Sequence, residues 1–400
     1  MSNNHIYLQI RCSILLLISV CCLSINWNLI GKERLNMLRN RRFLRIQDHS
    51  QISRFLYITE EMKITAPWNA PAFVWNFAWQ LHQKLIPWLH MFDRCFAEDS
   101  SYNLAILWCK AISGNRLGSR LWDEAIAFDL LPPIFRWIVQ FPLCWLYPNL
   151  HHQNVALRTA FLDSALKSEL SSSSNDTLLT STPSPSCKYA RVIVLGSGHD
   201  TRSLRFANMK SIINTVDLQP EFWEIDLPSV IRTRRLMLER FVERRKRRLN
   251  LMHSKDDVTI VPSVVGVDLN KLDEVRSALV DILSRGGCGK VIFVVEAVLM
   301  YLHSDVVQPL LSLCVDSAKI AANGAPIDVA LLFADRFPGV CDGGEVSSAA
   351  AMMTSEEERA AVETFLRPTG LTLKKWMPKP GRARHMGVAI LSESKPTSDA

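Results

Sequence analysis

The chain has 400 residues, 48% of them hydrophobic, which is ample for a large core and excludes a disordered polymer. Its net charge is +7, but nine basic and two acidic residues fall between Arg232 and Arg248, so the remainder is charge-balanced and a chain-wide nucleic-acid-binding face is not indicated. The ten cysteines form no C-x-x-C pair, which argues against zinc ribbons and disulfide frameworks; reduced, buried thiols and no metal cofactor are expected.

In chain order, residues 1–50 read as an anchor or targeting segment. Cys12 to Ile30 carries no charge, Arg11 precedes it, and Lys32, Arg34, Arg39, Arg41, Arg42 and Arg45 follow. That length suits a membrane span, and the basic flank would keep the following domain in the cytosol. A cleaved signal or an organelle transit sequence are the alternatives, since the first acid is Glu33; without the anchor function the protein would be cytosolic. Residues 51–170 read as a helical cap region, rich in tryptophan from Trp68 to Trp145 and broken by Pro132-Pro133 and Pro142. Aromatic stripes at helical spacing are core before they are ligand boxes. Residues 171–186, dominated by Ser, Thr and Pro, read as a loop.

Residues 187–394 then alternate short apolar runs with helical stretches. The predicted strands are Arg191–Leu195, Phe222–Asp226, Thr259–Val267, Lys290–Glu296, Asp328–Ala334, Leu371–Trp376 and Met386–Ser392. The predicted helices include Pro228–Leu249, Leu272–Ser284, Val306–Ala322 and Ser355–Phe365. Such alternation specifies an α/β fold: a seven-stranded, mostly parallel, doubly wound sheet. The last two strands are joined only by Met377 to His385 and must form an antiparallel hairpin.

The chemistry gathers at strand ends. Val192 to Leu195 runs into Gly196-Ser-Gly198, a turn where glycine lets backbone approach a ligand near a helix N-terminus. Thr201 stands where a dinucleotide fingerprint needs its third glycine, and no phosphate-binding P-loop occurs. The second strand ends in Asp226, 28 residues beyond Gly198, where a carboxylate accepts from ribose hydroxyls. The third ends at Asp268-Leu269, where an adenine amino group is to be held, and the fourth at Glu296, expected to face the crevice because a buried unpaired charge is costly. Each of Asp200, Asp226 and Asp268 could instead cap a helix. Four polar strand ends on one edge point more strongly to a nucleoside than any one of them.

These motifs, in this order, resemble the leucine carboxyl methyltransferase family. The residues that carry the resemblance are Leu195-Gly-Ser-Gly-His-Asp-Thr-Arg202, Glu224-Ile-Asp-Leu-Pro228, Asp268-Leu269 and Glu296-Ala-Val-Leu-Met-Tyr301, with Arg158 on the upstream helix. The resemblance implies a class I, Rossmann-like methyltransferase that uses S-adenosyl-L-methionine. It implies cofactor contacts at Arg158, Gly196, Gly198, Asp226, Asp268, Leu269 and Glu296, with Arg158 pairing the methionine carboxylate. The region before residue 150, the Ser-rich insert, the basic run and Lys379 to Met386 depart from the family pattern.

The expected reaction is O-methylation of a carboxylate, on a protein C-terminus or a small acid; the absence of an N/D-P-P-Y/F motif argues against exocyclic amines. Modification of tRNA or a lipophilic metabolite is the rival chemistry. A non-catalytic, membrane-associated adaptor on the same fold is the rival class. Tyr301 is the candidate to line the acceptor site, with Arg158, unless it is a core tyrosine. Arg202, Arg382, Arg384 and His385 are candidates to bind an acidic substrate, or else caps of helix and strand ends. The basic run would contact RNA or an anionic membrane, act as a nuclear signal, or simply be the solvated face of a helix.

Overall fold

A computed structural model describes residues 149–171, 189–208, 218–251, 259–285, 289–340, 355–377 and 385–391, with residue 216 and parts of 103–136. The segment 1–50 read as an anchor or targeting sequence, the Ser-rich insert, Arg382, Arg384, most of the expected cap region and nine of the ten cysteines lie outside them. Among the described residues no helix is long and apolar enough to cross a membrane.

The elements are α1 (Ala125–Leu130), α2 (Asn149–Ser171), β1 (Tyr189–Leu195), α3 (Arg202–Asn208), β2 (Gln219–Asp226), α4 (Pro228–Leu251), β3 (Ser263–Gly266), α5 (Leu272–Ser284), β4 (Lys290–Glu296), α6 (Ser304–Ala321), β5 (Asp328–Asp335), α7 (Ser355–Leu366), β6 (Leu371–Met377) and β7 (His385–Leu391). They build the expected seven-stranded doubly wound sheet, in the order β3-β2-β1-β4-β5-β7-β6. β1 to β5 are parallel, and β7 runs antiparallel to both β5 and β6. The winding reverses between β1 and β4, so a crevice opens at their carboxyl ends, the usual ligand position in open α/β sheets.

Both faces are covered, as the unbroken apolar strands require. Ile193, Leu195, Val291, Phe293 and Val295 point to one face, where they pack with Val275 and Leu279 of α5 and Leu310 and Cys314 of α6. Val192, Val194, Ile292 and Val294 point to the other, against Phe161, Leu162 and Leu166 of α2. This alternation sets the register: a one-residue slip of β1 would move the glycine loop and exchange the two faces. Cys314 is the buried thiol expected, and burial pushes its pKa well up. Arg191 on β1 hydrogen-bonds the carbonyls of Ile282 (2.9 Å) and Leu283 (3.2 Å), serving the free carbonyls at the end of α5.

One strand is much shorter than its apolar run. Thr259–Val267 was expected and only Ser263–Gly266 pairs, with Trp223–Asp226 of β2. β3 lies at the sheet edge; β2 runs back to Gln219, but pairing stops at Ser263, directly after Pro262, which has no N–H for the ladder. Upstream, Asn208 takes over the backbone of Ile260, accepting from its N–H (2.8 Å) and donating to its carbonyl (2.6 Å).

The basic run divides. Arg234 is fully buried against Glu224 at 2.8 Å, and Arg244 donates to the carbonyl of Asp129 at the end of α1. Arg232, Arg235, Lys246 and Arg247 are exposed, and Arg247 pairs with Glu243 one turn earlier. A solvated helix face that lends some of its cations to the core describes the run better than a continuous basic patch.

Candidate functional site

β1 ends in a turn that only glycine makes without strain. Gly196 has φ +61° and Gly198 φ +51°. The turn is tied to the neighbouring strand end. Gly196 N–H donates to Ile225 O (2.8 Å), and Gly198 N–H donates to Asp226 Oδ2 (2.6 Å). The loop is also closely flanked. A Cβ on Gly196 would lie 2.2 Å from Val298 Cγ2, and one on Gly198 would lie 2.7 Å from Asn103 Oδ1.

Asp226 is half-buried at the carboxyl end of β2 and also accepts from Leu227 N–H at 2.7 Å. Burial pushes its carboxyl up to about 6, against the pull of the Gly198 and Leu227 amides. Asp268 follows β3; the backbone and side-chain nitrogens of Asn270 donate to its Oδ1 at 3.0 and 3.2 Å, while the Leu269 side chain is buried in the core. Asp200 accepts from Arg202 N–H at 3.0 Å, the capping role allowed for it. Asp226 thus serves the loop itself, whereas Asp200 and Asp268 serve local turns.

Beside the loop lies a buried ion cluster. Arg202 is fully buried and pairs with Asp200, with Asp163 of α2 (2.9 Å) and with Glu296 at the end of β4 (3.0 Å). Arg205 holds Asp163 as well. Lys110, on a helical stretch with Leu104 and Leu107, lies 3.4 Å from Asp200 and 3.8 Å from Glu296; Arg158 Nε lies 3.5 Å from Glu296 Oε1. Burial alone would raise the pKa of Asp200 and Glu296, but Arg202 and Lys110 outweigh it at both, and both carboxyls fall below their ordinary range. Four cations (Lys110, Arg158, Arg202, Arg205) face three carboxylates (Asp163, Asp200, Glu296), which leaves one positive charge over.

Several expectations change here. Glu296 was expected to face an open crevice; it is nearly buried and tolerates burial because three cations surround it. Arg202 was a candidate for an acidic substrate, but its guanidinium is already taken by three carboxylates. His385, another such candidate, is fully buried, 3.2 Å from Glu358 and stacked on Trp376. Tyr301 is not a core tyrosine: it is 57% exposed, on the 3-10 turn Leu299–Tyr301 just after β4. Lys110 and Asp163 join the site without having been singled out in the sequence.

The site retains polar capacity. Arg158 Nε, Glu296 Oε1, Ser197 Oγ and both ring nitrogens of His199 are buried with no hydrogen-bond partner among the described residues. Burial, then the charge of Arg234, lowers the His199 pKa to about 3, so that ring is neutral. Orphaned groups of this kind call for a ligand or water. The donor set would suit S-adenosylmethionine, with Arg158 toward its carboxylate, Glu296 toward its ammonium and Asp226 toward its ribose.

One comparison with known proteins bears on this reading. Residues 145–315 match the family model for leucine carboxyl methyltransferase. No curated protein matches the chain. Among solved structures, the chain is similar to magnesium protoporphyrin IX methyltransferase from Synechocystis PCC 6803 with bound SAH, at 13% identity over 62% of this chain and 89% of that one, TM-score 0.32. It is also similar to a putative methyltransferase from Thermobifida fusca YX, at 13% identity over 67% and 94%, TM-score 0.37. Residues 145–315, which carry β1 to β4, the glycine loop and Glu296, thus match the leucine carboxyl methyltransferase family model.

Proposed function

We propose that the protein methylates a carboxylate oxygen, on a protein C-terminus or a small acid. The match of residues 145–315 to leucine carboxyl methyltransferase carries this reading. Two of the described histidines agree with it, whereas a third, His303, is exposed two residues beyond Tyr301. His199 is buried and neutral, and His385 is buried against Glu358. A hydroxyl acceptor would need a general base, whereas a carboxylate arrives ionised and loses no proton.

When bound, S-adenosylmethionine supplies an activated methyl group. The chain's own residues supply position, which accounts for much of the rate in a transfer of this type. Gly196 and Gly198 admit the nucleoside close to backbone, Asp226 accepts from the ribose, and Asp268 with Leu269 borders the adenine. Arg158 would take the methionine carboxylate and Glu296 the ammonium, giving hydrogen bonds to two atoms that lie 3.5 Å apart without one. Lys110 and Arg202 keep Glu296 ionised for that purpose. Tyr301, exposed beyond β4, lines the acceptor side.

The test has two arms. Titration calorimetry with S-adenosylhomocysteine is expected to show binding that Asp226→Ala and Glu296→Ala each weaken at least tenfold. Incubation with methyl-labelled cofactor and cell fractions is expected to label protein or small acids in an alkali-labile form that releases methanol, the signature of a methyl ester. Label in RNA, or label stable to alkali, would overturn the carboxylate assignment.

A further inference from the structure

The strand that follows the site contributes a carboxylate to which neither motif nor family match assigns a role. Asp335 ends β5 and is fully buried. Its Oδ2 accepts the N–H groups of Val298 (2.5 Å) and Leu299 (2.9 Å), and its Oδ1 accepts that of Arg336 (2.8 Å). The first two amides belong to the turn leaving β4, directly after Glu296. In that turn Ala297 has φ +61°, a left-handed conformation unfavourable for a residue with a Cβ, which persists only where surroundings over-determine it. Val298, one residue on, is the side chain that crowds Gly196. Ala297 N–H is held in turn by Ala334 O at 3.2 Å.

We propose that Asp335 is a positioning residue of the methyltransferase site: by gathering the Val298 and Leu299 amides it locks the turn after β4, which sets Glu296 into the ion cluster and Val298 over the glycine loop. The inference rests on the cofactor occupying that loop. A buried carboxylate is an expensive way to fill core space unless oriented donors receive it. Those donors sit on the one turn that joins the cofactor side of the edge to Tyr301 on the acceptor side. Asp335 touches neither cofactor nor substrate; it acts through the backbone. Because β5 pairs with β4 at Glu296↔Ala334, the carboxylate is anchored to the strand beside the one it steadies.

The experiment compares wild type, Asp335→Asn and Asp335→Ala by amide hydrogen exchange and by S-adenosylhomocysteine titration. In Asp335→Ala, protection of the Val298 and Leu299 amides is expected to fall at least tenfold while the β1 and β5 amides stay protected. Affinity for S-adenosylhomocysteine is expected to fall about tenfold. Asp335→Asn keeps one acceptor oxygen and is expected to recover most of the affinity. Should the alanine variant not fold, a two- to fivefold loss in the asparagine variant carries the same information. Affinity within 1.5-fold of wild type in both folded variants, or in the asparagine variant when it alone folds, would overturn the proposal. So would unchanged protection at Val298 and Leu299. Wild-type protein that fails to bind S-adenosylhomocysteine would overturn the cofactor placement instead, while the exchange data would still judge the role of Asp335 in the turn.

Discussion

The arginines beside the glycine loop and those along the outer face of α4 look alike in sequence and differ in consequence. Arg202 is fully buried among Asp163, Asp200 and Glu296; Arg247 and its partner Glu243 have side chains 73% and 63% exposed. Water screens the second pair, and two long side chains lose freedom to make it, so its net worth is small. The buried cluster is held by mutual need: removing one member strands the others in a poor solvent for charge. Charge count along the chain is therefore a weak guide, and burial decides which charges matter.

Four substitutions and a titration bear on this contrast. The largest effect is expected from Arg202→Leu, which takes from Asp163, Asp200 and Glu296 the one cation that pairs with all three; stability should drop by about 3–5 kcal/mol in chemical denaturation. A change below 1 kcal/mol would mean that the cluster is hydrated. Gly196→Ala comes next. It places a Cβ against Val298 and imposes a positive φ on alanine, and it should abolish measurable S-adenosylhomocysteine binding at a stability cost of about 1–3 kcal/mol. Asp226→Asn should weaken binding about 10- to 100-fold, roughly 1.5–3 kcal/mol, with little loss of fold. Arg247→Ala should cost no more than about 0.5 kcal/mol.

The pH dependence follows from two buried acids. Burial raises Asp226 and Asp335 from 3.8 to about 6, against the amides that donate to them. A raised folded-state pKa means that the native protein holds more protons between those values. Each residue's contribution is then fully present below about pH 4 and is lost as pH rises to about 6, by up to roughly 3 kcal/mol apiece. Asp200 and Glu296, both depressed, act in the opposite sense, and their contribution disappears only at lower pH as they protonate. Denaturation curves between pH 4 and 6 should slope downward with rising pH, and Asp226→Asn should flatten that slope. An unchanged slope in the variant would show that Asp226 titrates normally.

Much of this architecture was legible in the residues. β4 and α5 have the bounds expected from their apolar patterns, because both lie between clear breakers and are strongly periodic or unbroken. β3 was read too long because the apolar run was carried through Pro262, which cannot donate to the ladder. Asp226 and Glu296 were legible from spacing after the glycine turn. Lys110 was not: its role depends on a contact 90 residues away in sequence, and its surroundings resemble ordinary helical core. Asp335 was missed by one residue, since the apolar run was taken to end at Ala334. Glu296 was placed at its strand end as expected, but its environment was not anticipated, because partners drawn from α2, α3 and the Lys110 segment are invisible in a linear reading.

The placement of β7 has a consequence for how this chain comes into being. It is the last strand in chain order among the described residues, yet it lies between β5 and β6. On the ribosome, the glycine loop and the four strands bordering it emerge well before residue 391. Until His385–Leu391 follows, β5 presents an open edge of unpaired backbone, and β6 has no neighbour with which to form. The nascent protein thus passes through an interval in which its ligand-binding half is assembled and its sheet is still unfinished. Chaperone capture and mispairing between neighbouring nascent chains would concentrate in that interval.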